Sequence, residues 1–287
     1  MSPSWFQIIV LAVLQGAAEL LPVSSSAHVI LAEKLMGLDP SRPELTFLLV
    51  MLHTGTMFAV IVYFWNAWMR SYFSSWERFG AIFLRVAIAT VITVILGFGL
   101  KILIEKVVLR GAADAEVEQL FSNLPLVGVA LVAAGILIIV SGLSAQWEPG
   151  DDDVGLPSSA GLGVVQALCL PFRGFSRSGA TISTAMLLGI GKRRAEEFSF
   201  ALAVVITPPI VGYEFLRLLK ANAKLPEPVH LASLLVPGLV GMAASFVAGL
   251  LALQLLSNWL EKGRWHYFGF YCLVLAAVVF GFAWEGY

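Results

Sequence analysis

The chain has 287 residues, 59% of them hydrophobic and 13% charged, with a mean hydropathy of +0.86 and a net charge of −1. Soluble domains carry roughly 25% charged and about 45–50% apolar residues, so this composition excludes an ordinary soluble globule. The lack of a positive balance excludes a nucleic-acid-binding surface.

Taken in chain order, residues 5–36 begin as an apolar run but carry Gln15, Glu19, Pro22, Ser24, Ser25, Ser26 and His28 in its middle. The first Lys or Arg is Lys34, so this start lacks the positive flank of a secretory signal. Apolar stretches near 44–65, 80–104 and 123–143 follow, each close to the roughly 20 residues that cross a bilayer core. The acidic run Asp151-Asp152-Asp153 reads as a solvated connection. Residues 159–190 then repeat the interrupted pattern, with Gln166, Pro171, Arg173, Gly174, Ser176, Arg177, Ser178, Gly179 and Thr181. Further apolar stretches near 197–216, 230–257 and 266–285 complete the chain. Cys169 and Cys272 each lie inside apolar sequence, which suits buried packing and fits neither a zinc site nor a disulfide framework.

Both interrupted segments read as an apolar helix, a polar break and a second short apolar helix. Broken backbone at membrane depth is tolerated only inside protein or beside a water-filled cavity, so both are expected to be re-entrant hairpins. They also look like copies. Ser24-Ser25-Ser26-Ala27 aligns with Ser176-Arg177-Ser178-Gly179, and the same offset carries Gly37 onto Gly189 and Glu44 onto Glu196. Gln15 maps one residue away from Gln166, so the second loop has an extra residue. The expected fold is an all-α integral membrane protein of two inverted repeats, each one re-entrant helical hairpin plus three transmembrane helices. It forms one membrane domain over 1–287, with repeat one at 1–143, an acidic loop at 144–158 and repeat two at 159–287. The inversion follows from parity: a hairpin returns to its own side and three spans cross. Assigning loops to alternate faces divides Lys and Arg equally, so charge sets no orientation.

The breaks carry the chemistry. An arginine at membrane depth costs roughly 2.5–3.5 kcal/mol, and Arg177 has no acidic neighbour in its own loop. Its counter-charge is either Glu19 of the other break, as a structural ion pair, or a bound anion. Serine hydroxyls, backbone N–H groups at a glycine-flanked turn and a forked guanidinium suit phosphate oxygens. Gln15 and Glu19 are one helical turn apart and share a face, where two oxygen ligands can hold a hard divalent cation; a plain polar helix contact would need no metal. The serine triplet exceeds the single residue that N-capping needs. His28 follows Ser25 by one turn, and a serine nucleophile needs a base, so His28 is expected to be catalytic or to orient substrate. The G-x-S-x-G elbow is excluded, because Gly174-Phe175-Ser176-Arg177-Ser178 lacks its second glycine. Acid-phosphatase-like lipid phosphatases are excluded too, since residues 178–190 contain neither His nor Asp.

These residues resemble the undecaprenyl-pyrophosphate phosphatase family of bacteria, the type linked to bacitracin resistance. Gln15-Gly16-Ala17-Ala18-Glu19-Leu20-Leu21-Pro22-Val23-Ser24-Ser25-Ser26-Ala27-His28 is similar to its first motif, and Gly174-Phe175-Ser176-Arg177-Ser178-Gly179-Ala180-Thr181 to its second. The resemblance implies hydrolysis of undecaprenyl pyrophosphate to undecaprenyl phosphate and inorganic phosphate, recycling the cell-wall lipid carrier. It implies a multi-pass protein of the bacterial cytoplasmic membrane with its site open to the outer face, acting on a polyprenyl pyrophosphate lipid. Glu19, Ser25, His28 and Arg177 become the catalytic set, and Ser24, Ser26, Arg173, Gly174, Ser176, Ser178 and Thr181 the substrate-binding set. Gln15 and Glu19 become ligands for a divalent cation, Mg²⁺ or Ca²⁺. Two departures stand out: Arg173 replaces the proline before Gly174, and Ala18 replaces a threonine before Glu19. Arg173 either adds a second cation suited to pyrophosphate or snorkels to the interface. A polyprenyl-phosphate flippase would share the phosphate pocket but need no nucleophile. A homodimer is left open.

Overall fold

The computed structural model describes residues 3–39, 42–108, 123–144, 153–224 and 230–285. Among these residues the chain is helical, with no strand. The elements are α1 (Trp5–Leu20), α2 (Ser25–Leu35), α3 (Pro43–Ser71), α4 (Trp76–Leu103), α5 (Leu124–Ser144), α6 (Leu156–Cys169), α7 (Arg177–Leu187), α8 (Lys192–Asn222), α9 (Leu231–Glu261) and α10 (His266–Trp284). Six of them, α3, α4, α5, α8, α9 and α10, are long and apolar enough to cross a membrane. They fall on the six apolar stretches expected from sequence. The other four have 16, 11, 14 and 11 residues, short of the roughly 17–25 that a spanning helix needs.

Local chemistry explains the two breaks. Leu21 precedes Pro22, whose ring disfavours a helical conformation one residue back. Leu21 accordingly turns to φ −73°, ψ 151° and ends α1. Ser24 then takes φ 65° before α2 begins. In the second break Pro171 follows α6, and the chain turns at Gly174 with φ 110°. A Cβ at Gly174 would fall on the Val127 carbonyl oxygen of α5. Gly174→Ala should therefore lower the thermal midpoint in detergent clearly, since the left-handed backbone alone costs about 1–2 kcal/mol. An unchanged midpoint would show that the turn relaxes freely.

The ends of the two short helices α2 and α7 correspond. α2 and α7 both end at a left-handed glycine, Gly37 at φ 63° and Gly189 at φ 84°. Leu38 N donates to Glu33 O (2.9 Å) and Ile190 N to Ala185 O (3.0 Å), which are corresponding bonds across these caps. Packing is exchanged as well: α1 lies against α9 and α6 against α4, while α3 meets α8 and α5 meets α10. Thr93 of α4 seals one of these contacts, its hydroxyl lying between two acceptors, Ala89 O (2.8 Å) and Gly163 O (3.0 Å).

The matched glutamates, however, have different surroundings. Glu44 pairs with Arg42 at 3.3 Å, whereas Glu196 is buried and accepts from Ser257 of α9. Asp153 corrects the reading of the acidic run as wholly solvated. It pairs with Arg194 at 3.6 Å and Arg85 at 3.9 Å. Arg194 also reaches Glu197 (2.9 Å), which accepts from Ser71 (3.3 Å), so the start of α8 is tied to α3 and α4. Asp151 and Asp152 lie outside the described residues. Both cysteines are free; Cys272 is buried and Cys169 half-buried.

Candidate active site

Glu19, in the last turn of α1, is the hub where the two breaks meet. Its Oε1 accepts from Arg177 Nη2 at 2.9 Å. Its Oε2 accepts from Ser25 Oγ at 2.6 Å and from Gln15 Nε2 at 3.2 Å. His53 of α3 brings Nε2 to 4.0 Å from the same oxygen. Side chains of α1, α2, α3 and α7 thus converge on one carboxylate. Arg177 and Glu19 keep 20% and 19% of their side chains exposed, so a ligand can reach the pair. The ion pair foreseen as one of two readings of Arg177 is present, and it joins the two breaks.

Arg177 is placed by the first turn of α7. Ser176 caps that helix, its Oγ accepting from Gly179 N at 3.2 Å. Thr181 Oγ1 donates to Arg177 O at 2.8 Å and shares a 2.6 Å hydrogen bond with Ser199 Oγ of α8. Ser178 Oγ donates to Leu21 O of the first break at 3.3 Å. The hydroxyls of Ser176, Ser178 and Thr181 are buried and bonded to protein, and Gly174 is buried against α5. These bonds and the Gly174 turn hold the loop in place, and Arg177 is the residue of the second motif that reaches Glu19. Arg173 is half-buried, and its guanidinium acts on the buried Glu33 carboxylate of α2.

The first motif also differs from expectation. Ser25 opens α2 and donates to Glu19, so the expected Ser25–His28 pairing is not made. His28 instead puts Nδ1 2.8 Å from Ser24 O and Nε2 2.7 Å from the Tyr271 hydroxyl of α10. Ser24 is buried and contributes its carbonyl; Ser26 is half-buried and outside the Glu19 cluster. His53, Ser199 and Tyr271 were not foreseen. An ionisable residue within an apolar span is a signal that points to His53; nothing local marks Ser199 or Tyr271.

Beside the first break, Leu14, Ala17, Leu21, Trp259 and Phe268 line an apolar cavity of about 450 Å³, with His28 and Tyr271 in its wall. Another cavity, of about 490 Å³, lies at the α2–α3 turn among Gln7, Asp39, Arg42 and Glu44, away from the Glu19 cluster. Size does not decide between them; contact with the first break does, since Leu21, Val23 and His28 line the apolar one.

A divalent cation can be tested against this donor set. No group of three His, Cys, Asp or Glu able to hold a metal occurs among the described residues, so an all-protein cage is absent there. Glu19 and Ser25 offer a carboxylate and a hydroxyl within one cluster, while Gln15 turns its Nε2 to Glu19 and would present its oxygen to a cation only with the amide rotated. Such a donor set fits a hard cation that takes most of its shell from water and phosphate, as Mg²⁺ does.

Six apolar helices around two broken helix pairs define a multi-pass membrane protein with a polar site buried between the breaks. The chain belongs to the bacitracin resistance protein BacA family, which it matches over residues 8–278. It is 59% identical to undecaprenyl-diphosphatase 2 of Acinetobacter baylyi over 274 residues, covering 95% of each chain. It is 32% identical to the undecaprenyl-diphosphatase of Korarchaeum cryptofilum, over 95% of this chain and 97% of that one. The enzyme of that name from Desulfosudis oleivorans is 33% identical over 95% and 96%.

Proposed function

We propose that this chain hydrolyses undecaprenyl pyrophosphate to undecaprenyl phosphate and inorganic phosphate. The observation that carries the reading is the 2.6 Å hydrogen bond from Ser25 Oγ to Glu19, beside the Arg177 guanidinium 2.9 Å from the same carboxylate. A hydroxyl on a carboxylate base next to a cation suits phosphoryl transfer.

In this scheme Arg177 binds oxygens of the distal phosphoryl group and faces the charge that develops there. Ser25 Oγ attacks that phosphorus while its proton passes to Glu19 Oε2. The P–O bond to the bridging oxygen breaks, and undecaprenyl phosphate leaves with the bridging oxygen. Water then attacks the phosphoserine, giving inorganic phosphate and returning the hydroxyl to Ser25. Glu19 and Gln15 would hold the divalent cation, which when bound supplies positive charge to the phosphoryl oxygens. The apolar cavity receives the proximal part of the prenyl chain.

The two short helix pairs lie in the membrane as re-entrant hairpins of inverted repeats. The corresponding caps at Gly37 and Gly189 and the exchanged packing of α1 on α9 and α6 on α4 support this reading. Opening of the site to the outer face of the bacterial cytoplasmic membrane rests on the family resemblance. A flippase would have no use for a serine hydroxyl held on a carboxylate. Purified protein in detergent should release inorganic phosphate from undecaprenyl pyrophosphate, and excess chelator should abolish the release. Binding of the lipid without phosphate release would favour the transporter, and full activity in chelator would remove the metal.

A further inference from the structure

We infer that Tyr271 is a positioning residue of this site: through His28 it holds the backbone that carries Ser25, and it links that backbone to the lipid-chain cavity. The inference rests on the phosphatase reading for its kinetic consequence, though its geometry stands apart.

The direction of each hydrogen bond follows from chemistry. Ser24 O is a carbonyl oxygen and can only accept, so His28 Nδ1, 2.8 Å away, carries a proton. Neutral imidazole has one N–H, so Nε2 presents a lone pair. The Tyr271 hydroxyl, 2.7 Å from Nε2, is then the donor. The rings are almost parallel, 5° apart with centroids at 5.7 Å, and the phenol holds the second nitrogen of an imidazole whose tautomer Ser24 O selects. A partner on one ring nitrogen commonly sets what the other nitrogen does.

Two further observations give the contact a purpose. Ser24 has φ 65°, an uncommon conformation for a residue with a side chain, and Ser25 is its immediate neighbour. The His28 Nδ1–H bond grips the carbonyl of that strained residue, so the peptide joining Ser24 to Ser25 is set by an imidazole that Tyr271 holds still. Tyr271 and His28 also form part of the cavity wall, otherwise built largely of apolar side chains. A prenyl chain lying there packs against Tyr271. Binding of a remote part of the substrate is thereby spent on orienting the nucleophile.

The test is Tyr271→Phe, which keeps the ring and removes the donor. It should lower kcat for undecaprenyl pyrophosphate about five- to tenfold, the usual worth of one neutral hydrogen bond, with KM within about twofold. In a His28→Ala background the same change should cost nothing further, because Tyr271 acts through the missing ring. Nitrogen-15 spectra of histidine-labelled protein in detergent, with the His28 signals assigned from His28→Ala, should show the Nδ1–H tautomer in the wild type. In Tyr271→Phe the Nε2 signal should shift as its lone pair loses the donor, while the Nδ1–H signal, held by Ser24 O, should stay. Unchanged ring signals, or kinetic losses that multiply in the double variant, would overturn the role of Tyr271. Absence of phosphate release by the wild type would overturn the phosphatase reading instead, and the ring spectra, recorded without substrate, keep the two failures distinct.

Discussion

Glu19→Gln should reduce phosphate release by about a thousandfold, within the range of roughly 10²–10⁴ that a positioned general base contributes. The amide keeps the shape of the side chain but cannot take the Ser25 proton, and it removes the negative charge beside Arg177. Stability should fall as well. Removing one partner of a buried ion pair costs roughly 3–5 kcal/mol, but both members here are about one-fifth exposed, so the loss should be smaller. Glu19→Asp provides the contrast. It retains the charge yet draws the carboxylate back by one methylene, away from Ser25 Oγ at 2.6 Å and Arg177 Nη2 at 2.9 Å. Its midpoint of thermal unfolding should lie nearer the wild type than that of Glu19→Gln, while its activity stays low. Measuring phosphate release and thermal unfolding on the three proteins separates the base from the ion pair. Near-normal turnover by Glu19→Gln would remove Glu19 from proton transfer.

What could be read from sequence was what is written locally. A bilayer core imposes a length on each span, so the six long helices stand out in hydropathy, and the four short ones stand out because Glu19 and Arg177 interrupt theirs. Pro22 marks the end of α1 through its effect on Leu21. Gln15 and Glu19 share a face because they are one turn apart, and they do touch. The ion pair across the breaks was one of two readings that the isolated charge of Arg177 left open.

The parts that were not legible depend on where helices cross. Ser25 is one turn from His28, so the sequence suggested a serine–histidine pair, but the His28 ring is claimed by Tyr271, 243 residues away. The hydroxyls of Ser176, Ser178 and Thr181 are visible as polar residues, yet composition does not tell whether a hydroxyl faces a ligand or its own backbone. Here Ser176 caps α7 and Thr181 binds Arg177 O, the local bonds that such residues favour at helix starts, whereas Ser178 reaches across to Leu21 O in the first break. Asp153 looked like part of a solvated run because its partners, Arg85 and Arg194, lie on other elements.

Ser25→Ala should cost about a thousandfold in kcat, whereas Ser24→Ala should cost little and His28→Ala an intermediate amount. The ordering follows from what each side chain touches. The Ser25 hydroxyl is on the Glu19 carboxylate, and removing it leaves the base with nothing to deprotonate except water. Ser24 makes no side-chain capping bond, and its carbonyl, which holds His28, survives the change to alanine. His28 touches neither Ser25 nor Glu19, so its loss loosens the backbone before Ser25 without removing a reacting atom. A serine nucleophile also passes through a phosphoserine, so rapid-quench digestion of wild-type protein with labelled substrate should yield a phosphorylated peptide containing Ser25. Ser25→Ala should yield none. Equal losses at Ser24, Ser25 and Ser26, with no phosphopeptide, would instead make the triplet a cradle for phosphate and water the nucleophile. In that case Glu19 would still be the base, since it is the carboxylate that Arg177 and Ser25 both contact, and the Ser25 hydroxyl would serve to orient the attacking water.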